Sequence, residues 1–366
     1  MSVLPSDIVV YGSANMPEVD SATVGGAVDF TKRCAWYDLS ANDTIDAVSS
    51  SASDTATNLR VMGRSASGVA VTSSVATLTG QTPITNVGTL GTVERVLAAV
   101  ITGGAIAGLS SPGGTAAVGD VAVYRQAPVL SVRIAQTGAA IATGGTPALF
   151  KLQSGDGDAV SIGQIIRIKT YTDANQLRQI IATSGYGTDV VAVNRNWGTV
   201  PDNTSTYDVY QGILFEVSPN AVTAVTRCFA TAAADAPGGS SRTYYEKVFV
   251  VNNNAATALL SATVQDSSNT PTLSSGGLLD LALCKALNDT ATAANRQTLP
   301  ANGDATTLTF VTQPSAVPVI AGSGQLPSGS APNSAGAQGV WLRLTLPAGT
   351  AAYKGAGNLR IQGTTT

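Results

Sequence analysis

Short runs of alternating apolar and polar residues recur along this chain, and clusters of Gly, Pro, Asn and Asp separate them. In the run from Val340 to Leu346, four aliphatic residues alternate with Trp, Arg and Thr. This period of two places successive side chains on opposite faces of a β-strand. Thr, Ser, Gly, Ala and Val dominate the sequence, whereas Glu and Lys, which commonly fill exposed helix faces, are rare. The pattern predicts an all-β protein and gives no scaffold for a Rossmann, TIM-barrel or P-loop fold.

The alternating runs predict the positions of the individual strands. They lie at Ile8–Tyr11, Trp36–Leu39, Leu59–Met62, Gly68–Thr72, Val75–Leu78, Val93–Val100, Val121–Tyr124, Gly163–Ile168, Gln176–Ile181, Asp189–Val193, Tyr207–Tyr210, Ala221–Phe229, Tyr244–Asn252, Ala258–Val264, Leu278–Leu283, Thr307–Phe310 and Val340–Leu346. The segment from Leu278 to Asn288 also contains good helix formers, so a helix is an alternative there. Pro314 to Gly336, rich in Pro, Gly and Ser, predicts a long loop.

The length of 366 residues predicts two or three small β-sandwich or β-barrel domains with an extended N-terminal arm. We expect the arm at 1–35, a β domain at 36–127, a small barrel or meander at 128–211 and a β-sandwich at 212–366. The arm carries apolar residues that a solvated tail does not need, namely Tyr11, Met16, Val19, Val24 and Phe30. We therefore expect it to lie along a neighbouring subunit.

The chain has few charged residues, and this composition weighs against several functions. Charged residues make up 12% of the chain, the net charge is −3, and there is no histidine. No basic run is present, so we expect no direct binding to nucleic acid. The N-terminus does not resemble a signal peptide and no long apolar segment occurs, so we expect no membrane association. Without histidine, the commonest general base is missing, and we expect a protein that is not an enzyme.

No cofactor or catalytic residue follows from the spacing of the remaining groups. Asp156-Gly157-Asp158 resembles part of a calcium loop but lacks the distal Glu and the helical flanks, which favours a polar turn over a metal site. Arg195 and Trp197 bracket a turn; either they mark a binding tip, or Trp197 packs in the core of the second domain while Arg195 covers it, which we favour.

The three cysteines are far apart in the sequence. An odd number at wide spacing does not predict a disulfide framework, and Cys34, Cys228 and Cys284 are expected to be buried thiols.

Three stretches resemble structural proteins of tailed bacteriophages. The first is Val160 to Gly212, which holds a strand and turn module, although Asn196 stands where such modules have glycine. The second begins at Tyr244 (YYEKVFVVNNN) and the third at Gly339 (GVWLRLTLPAGT), and both look like strands of the Ig-like sandwiches that phages use as decoration modules. The resemblance implies a virion component and transfers no site residue.

The size and the resemblance favour a capsid cement, or decoration, protein that binds the major capsid protein lattice and stabilises the head. Such a protein is assembled into the virion in the host cytoplasm and self-associates, with a homotrimer as the expected form. A tail, baseplate or fibre component is the first alternative. A carbohydrate-binding surface protein is the second, although an aromatic content of 5% disfavours it.

Overall fold

The structure, a computed structural model, describes residues 3, 7–17, 19–34, 43–67, 69–98, 112–136, 140–141, 148–170, 175–215, 224–226, 228–229, 238–254, 256–266, 278–300, 310, 325, 327–328, 336–350 and 359–365. The predicted strands at Trp36–Leu39 and Thr307–Phe310 and the loop from Pro314 to Gly336 fall wholly or mostly outside these residues. The all-β fold class is confirmed, because this part of the chain is dominated by strands and has no helix of seven or more residues.

The strands in chain order are β1 (Ile8–Asn15), β2 (Val24–Arg33), β3 (Asp43–Ser49), β4 (Asn58–Arg64), β5 (Ala70–Thr72), β6 (Ala76–Thr77), β7 (Ile84–Leu90), β8 (Thr92–Ala98), β9 (Val121–Arg125), β10 (Leu130–Ile134), β11 (Ala140–Ile141), β12 (Ala148–Lys151), β13 (Ile165–Thr170), β14 (Leu177–Ala182), β15 (Val190–Val193), β16 (Thr206–Tyr210), β17 (Gly212–Phe215), β18 (Ala224–Thr226), β19 (Arg242–Asn252), β20 (Leu260–Asp266), β21 (Leu278–Leu287), β22 (Thr292–Ala293), β23 (Gln338–Leu346) and β24 (Leu359–Thr364). The ambiguous segment from Leu278 is therefore a strand.

The largest sheet joins strands from both ends of the chain. Within the described residues its main path runs β21-β23-β19-β1-β2-β18-β8-β4-β5. Strand β1 is antiparallel to β19, with Ile8 opposite Asn252, and β2 is parallel to β18. The interpretation of residues 1–35 as an extended arm is therefore wrong: β1 and β2 form a hairpin in the middle of a sheet, where strands on both flanks supply partners for its backbone groups.

Each half of this sheet covers its own core. On one side, Leu59 and Val61 of β4 pack against Ile45 and Val123 of a second sheet with the order β17-β9-β3-β7. On the other side, β19, β21 and β23 pack against the pair β20 and β24. The large sheet combines strands from the ranges 36–127 and 212–366, so it crosses the boundaries predicted for these two domains.

The range 128–211 contains a complete barrel-like sheet. Its order is β10-β16-β13-β14-β15-β12-β11. Strands β10 and β11 are neighbours in the chain but lie at opposite ends of that order, and the N–H of Gln136 donates to the carbonyl of Lys151 at 3.3 Å. The sheet thus curls around a core that includes Phe150, Ile166 and Tyr207, and it leaves β10 as an edge strand.

Strand β23 is buried on both faces, although alternation of apolar and polar residues is typical of a strand with one face in solvent. Val340 and Leu342 face the core beneath β20, and Trp341 on the opposite face is also fully buried. The Trp341 ring lies against Gly25, which has φ +87° and where a Cβ atom would come within 2.6 Å of the ring. Gly25 in β2 therefore makes room for a large aromatic side chain.

Candidate functional site

The barrel packs against the four-stranded sheet through a layer of buried aliphatic and aromatic side chains. The contributors are Val48, Ala122, Tyr124 and Leu214 from the sheet and Ile165, Leu177 and Tyr210 from the barrel. The rings of Tyr124 and Tyr210 are 4.3 Å apart. Burial raises the pKa of Tyr124 to about 12. The other face of the four-stranded sheet packs against β4 and β8 of the large sheet. The four-stranded sheet therefore lies between the large sheet and the barrel and connects them.

A buried ionic contact reinforces this junction. Asp120, which directly precedes β9, is almost fully buried and forms an ion pair with Arg195 of the barrel. Arg178 lies 4.0 Å from the same carboxylate oxygen. Charges removed from water are stable only when they are paired, so the three groups fix the orientation of the barrel relative to the sheet.

The structure confirms the predicted core position of Trp197 and adds a contact for Arg195. Trp197 belongs to the barrel core and lies 5.2 Å from Phe150, measured between ring centroids. Arg178 also covers it, with the guanidinium carbon 5.0 Å from the ring centroid. The guanidinium of Arg195 reaches across the junction to the buried Asp120 carboxylate.

The segment around Asp156 forms a polar turn, with Gly157–Ala159 as a single 3₁₀ turn. The hydroxyl of Tyr207 donates to the Asp156 carboxylate at 3.2 Å, and Arg133 lies 3.4 Å from it. The backbone N–H groups of Gly155 and Gly157 donate to Asp189, and these bonds lower the pKa of Asp189. The two carboxylates thus tie the turn after β12 to the residue before β15 and to β16 and β10. Among the described residues, no group of three or more acidic or cysteine side chains is placed to hold a metal ion.

Strand β10 presents apolar side chains to solvent at the rim of the barrel. Val132 and Ile134 are 71% and 52% exposed, and the preceding Val129 is also exposed. The pairing of β10 with β16 shifts register between Leu130 and Arg133, and Val132 lies in this bulge with φ +50°. A β-branched residue is strained in that conformation. The Val132 side chain therefore lies largely in solvent, and its backbone conformation is unfavourable for valine.

Asp208 of β16 holds this bulge in place. Its carboxylate accepts hydrogen bonds from the Val132 N–H at 2.7 Å, the Tyr210 hydroxyl at 2.7 Å and the Lys169 ammonium at 2.9 Å. Burial alone raises the pKa of Asp208, but these three bonds together hold it below its usual value. The charged carboxylate thus links the exposed edge of the barrel to its junction with the sheet.

Buried ionic groups also anchor the N-terminal hairpin. Lys247 of β19 is fully buried, forms an ion pair with Asp289 and donates to the carbonyl of Gly26 at 3.2 Å. Glu246 on the opposite face lies 3.3 Å from Arg296. Burial raises the pKa of Glu246, and Arg296 opposes that rise. These contacts connect the segment around Arg296 and the hairpin to β19.

The sequence did not indicate Val132 or Asp208. The only signal is the run from Val129 to Ile134, which has an apolar residue at nearly every second position like any other strand of this chain. Asp208 interrupts the otherwise apolar and aromatic run Tyr207 to Tyr210. A single charged residue in such a run indicates a buried and paired carboxylate with a structural role.

Within the described residues, no helix is long and apolar enough to cross a membrane. Comparisons with protein-family models, with curated proteins and with solved structures found no match to this chain.

Proposed function

We propose that this chain is a structural protein of a tailed-bacteriophage virion, and that it acts as a capsid cement protein. In this role it binds the major capsid protein lattice, stabilises the head and has no catalytic activity. Copies associate with one another on the shell, in the simplest case as trimers. The resemblance of the segments from Val160, Tyr244 and Gly339 to phage structural modules supports the phage origin.

The exposed edge at Val132 is the observation that carries the proposal. A strained residue costs stability, and an exposed aliphatic side chain gains nothing in water. Both costs are offset if a neighbouring protein covers β10 in the assembly. Edge strands also offer backbone groups to which a neighbour can add a strand.

The rigid junction between barrel and sheet also fits a cement role. A protein that resists deformation of a shell must not hinge between its own units. The buried Asp120 carboxylate with Arg178 and Arg195, together with the packed Tyr124 and Tyr210, oppose such hinging. Many weak contacts summed over many copies then stabilise the head.

Immunogold electron microscopy of particles from the phage that carries this gene tests the proposal. Antibodies raised against the purified chain should label heads. Labelling of the tail or baseplate would show that the chain is a tail component and not a capsid cement protein. Unlabelled intact particles, together with absence of the chain from their protein content, would refute a virion role.

The edge is tested with matched variants on heads that lack the protein. Val132→Asn should reduce the amount of chain bound per head about tenfold or more. Val118→Asn is the control, because Val118 is 69% exposed and lies outside the barrel. Equal binding by both variants would remove β10 from the contact surface.

A further inference from the structure

Two cysteines far apart in the sequence meet where β2 and β18 lie side by side. These strands are parallel, with Ala224 opposite Lys32 and Val225 opposite Arg33. Cys34 directly follows β2, and Cys228 lies in the turn just after β18. Both are half-buried and pack against the core that contains Val248 and Val250 of β19.

The two cysteine side chains lie close together, because they follow paired strands and pack against the same core. The Cys34 thiol acts on Cys228 as a hydrogen-bonding neighbour and raises its pKa. Cys34 also lies 3.7 Å, sulfur to sulfur, from Met16. Cys284 is fully buried elsewhere, on β21, with its sulfur beside Gly339. The chain thus holds one adjacent thiol pair and one separate thiol.

We propose that Cys34 and Cys228 form a site of reversible oxidation, at which an intramolecular disulfide ties the N-terminal hairpin to the segment after β18. The oxidant is a low-molecular-weight disulfide. One thiolate attacks a sulfur of that disulfide, which releases one small thiol and leaves a mixed disulfide on the protein. The second thiolate attacks the protein-bound sulfur and releases the other small thiol. Two protein thiols are oxidised, one small disulfide is reduced, and both protons end on the released thiols.

The surroundings indicate how fast this pair reacts. The hydrogen bond from Cys34 and the burial of the site, together with the nearby Glu246, raise the pKa of Cys228 well above its usual value. Because the thiolate is the reactive form and a raised pKa leaves little of it at neutral pH, the bridge closes slowly there. The closed bridge restricts the unfolded chain over a long loop, which stabilises the folded protein independently of any role in a virion.

Intact-mass measurement and peptide mapping after treatment with oxidised glutathione at mildly alkaline pH test the proposal. The wild-type chain should lose the mass of two hydrogen atoms, keep one free thiol in denaturant and yield a linked peptide pair containing Cys34 and Cys228. Its melting temperature should rise and return to the starting value after reduction.

Three serine variants locate the bridge. Cys284→Ser should lose two hydrogen atoms and keep no free thiol. Cys34→Ser and Cys228→Ser should show no internal bridge and take up only glutathione. Glutathione adducts without a bridge in the wild-type chain, a bridge that includes Cys284, or covalent dimers would overturn the proposal. If a variant fails to fold, the wild-type peptide map decides by itself.

Discussion

The Asp208 carboxylate accepts a hydrogen bond from the backbone N–H of Val132, with 2.7 Å between Oδ1 and N. This bond joins a buried charge to the most strained position of an exposed edge strand. It explains how a β-branched residue is held at φ +50°, because a charge-assisted hydrogen bond offsets part of the backbone strain.

Relief of this strain should stabilise the chain. Asn tolerates the left-handed region better than Val does, so Val132→Asn should raise the free energy of unfolding by about 1 kcal/mol. Urea unfolding followed by fluorescence measures it. The control variant Val118→Asn, at a position without positive φ, should change stability by less than about 0.5 kcal/mol. A destabilised Val132→Asn protein would show that the bulge is not strained.

The hydrogen bonds to Asp208 predict a dependence of stability on acid. Because the folded pKa lies below the ordinary value of 3.8, the charged carboxylate contributes stability above that pH. The contribution disappears as the pH falls through the folded pKa. Asp208→Asn should therefore cost about 1–3 kcal/mol at pH 7, and its difference from wild type should shrink below about pH 4.

Unfolding curves at several pH values measure this effect. Asp158→Asn is the matched control, because Asp158 is an exposed carboxylate of the same barrel. It should leave stability at pH 7 nearly unchanged. A constant gap between wild type and Asp208→Asn down to pH 2 would contradict the assignment.

Removal of the Asp120 carboxylate should loosen the junction. Asp120→Ala leaves Arg178 and Arg195 without their shared partner, and we expect a loss of about 3 kcal/mol in denaturant unfolding. Glu94→Gln, which breaks the more exposed Arg64–Glu94 pair, should cost less than about 1 kcal/mol. Similar losses for both variants would mean that the junction is not specially stabilised.

Deletion of residues 1–35 should prevent folding. If these residues were an extended arm, the rest of the chain would still fold without them. The deletion takes away β1 and β2 and leaves β19 and β18 each without one of their two neighbouring strands. Soluble yield and near-ultraviolet circular dichroism report the result. The milder variant Tyr11→Ala removes a fully buried ring and should cost about 3–5 kcal/mol. A folded deletion protein would restore the interpretation as an arm.

Several features of the fold were predictable because they depend on local sequence. The period of two identified the strands Tyr244–Asn252 and Val340–Leu346 and the face that carries Val340 and Leu342. The burial of Trp197 followed from the aromatic content of a small core. All strands of the barrel fall within the predicted range 128–211, since antiparallel strands close in sequence pair through short connections.

The tertiary structure alone decided which strands are neighbours. Alternation of apolar and polar residues indicates which face of a strand is buried. It does not indicate which distant strand pairs with it, because the backbone N–H and C=O groups that form the hydrogen bonds carry no information about the side chain. The sequence of the N-terminal segment therefore predicted only that Tyr11 and Val24 need cover, and the cover comes from β19 and β23 of this same chain. The partners of Asp208, Arg195 and Cys228 were hidden for the same reason: each lies across a contact between strands that only the folded chain brings together.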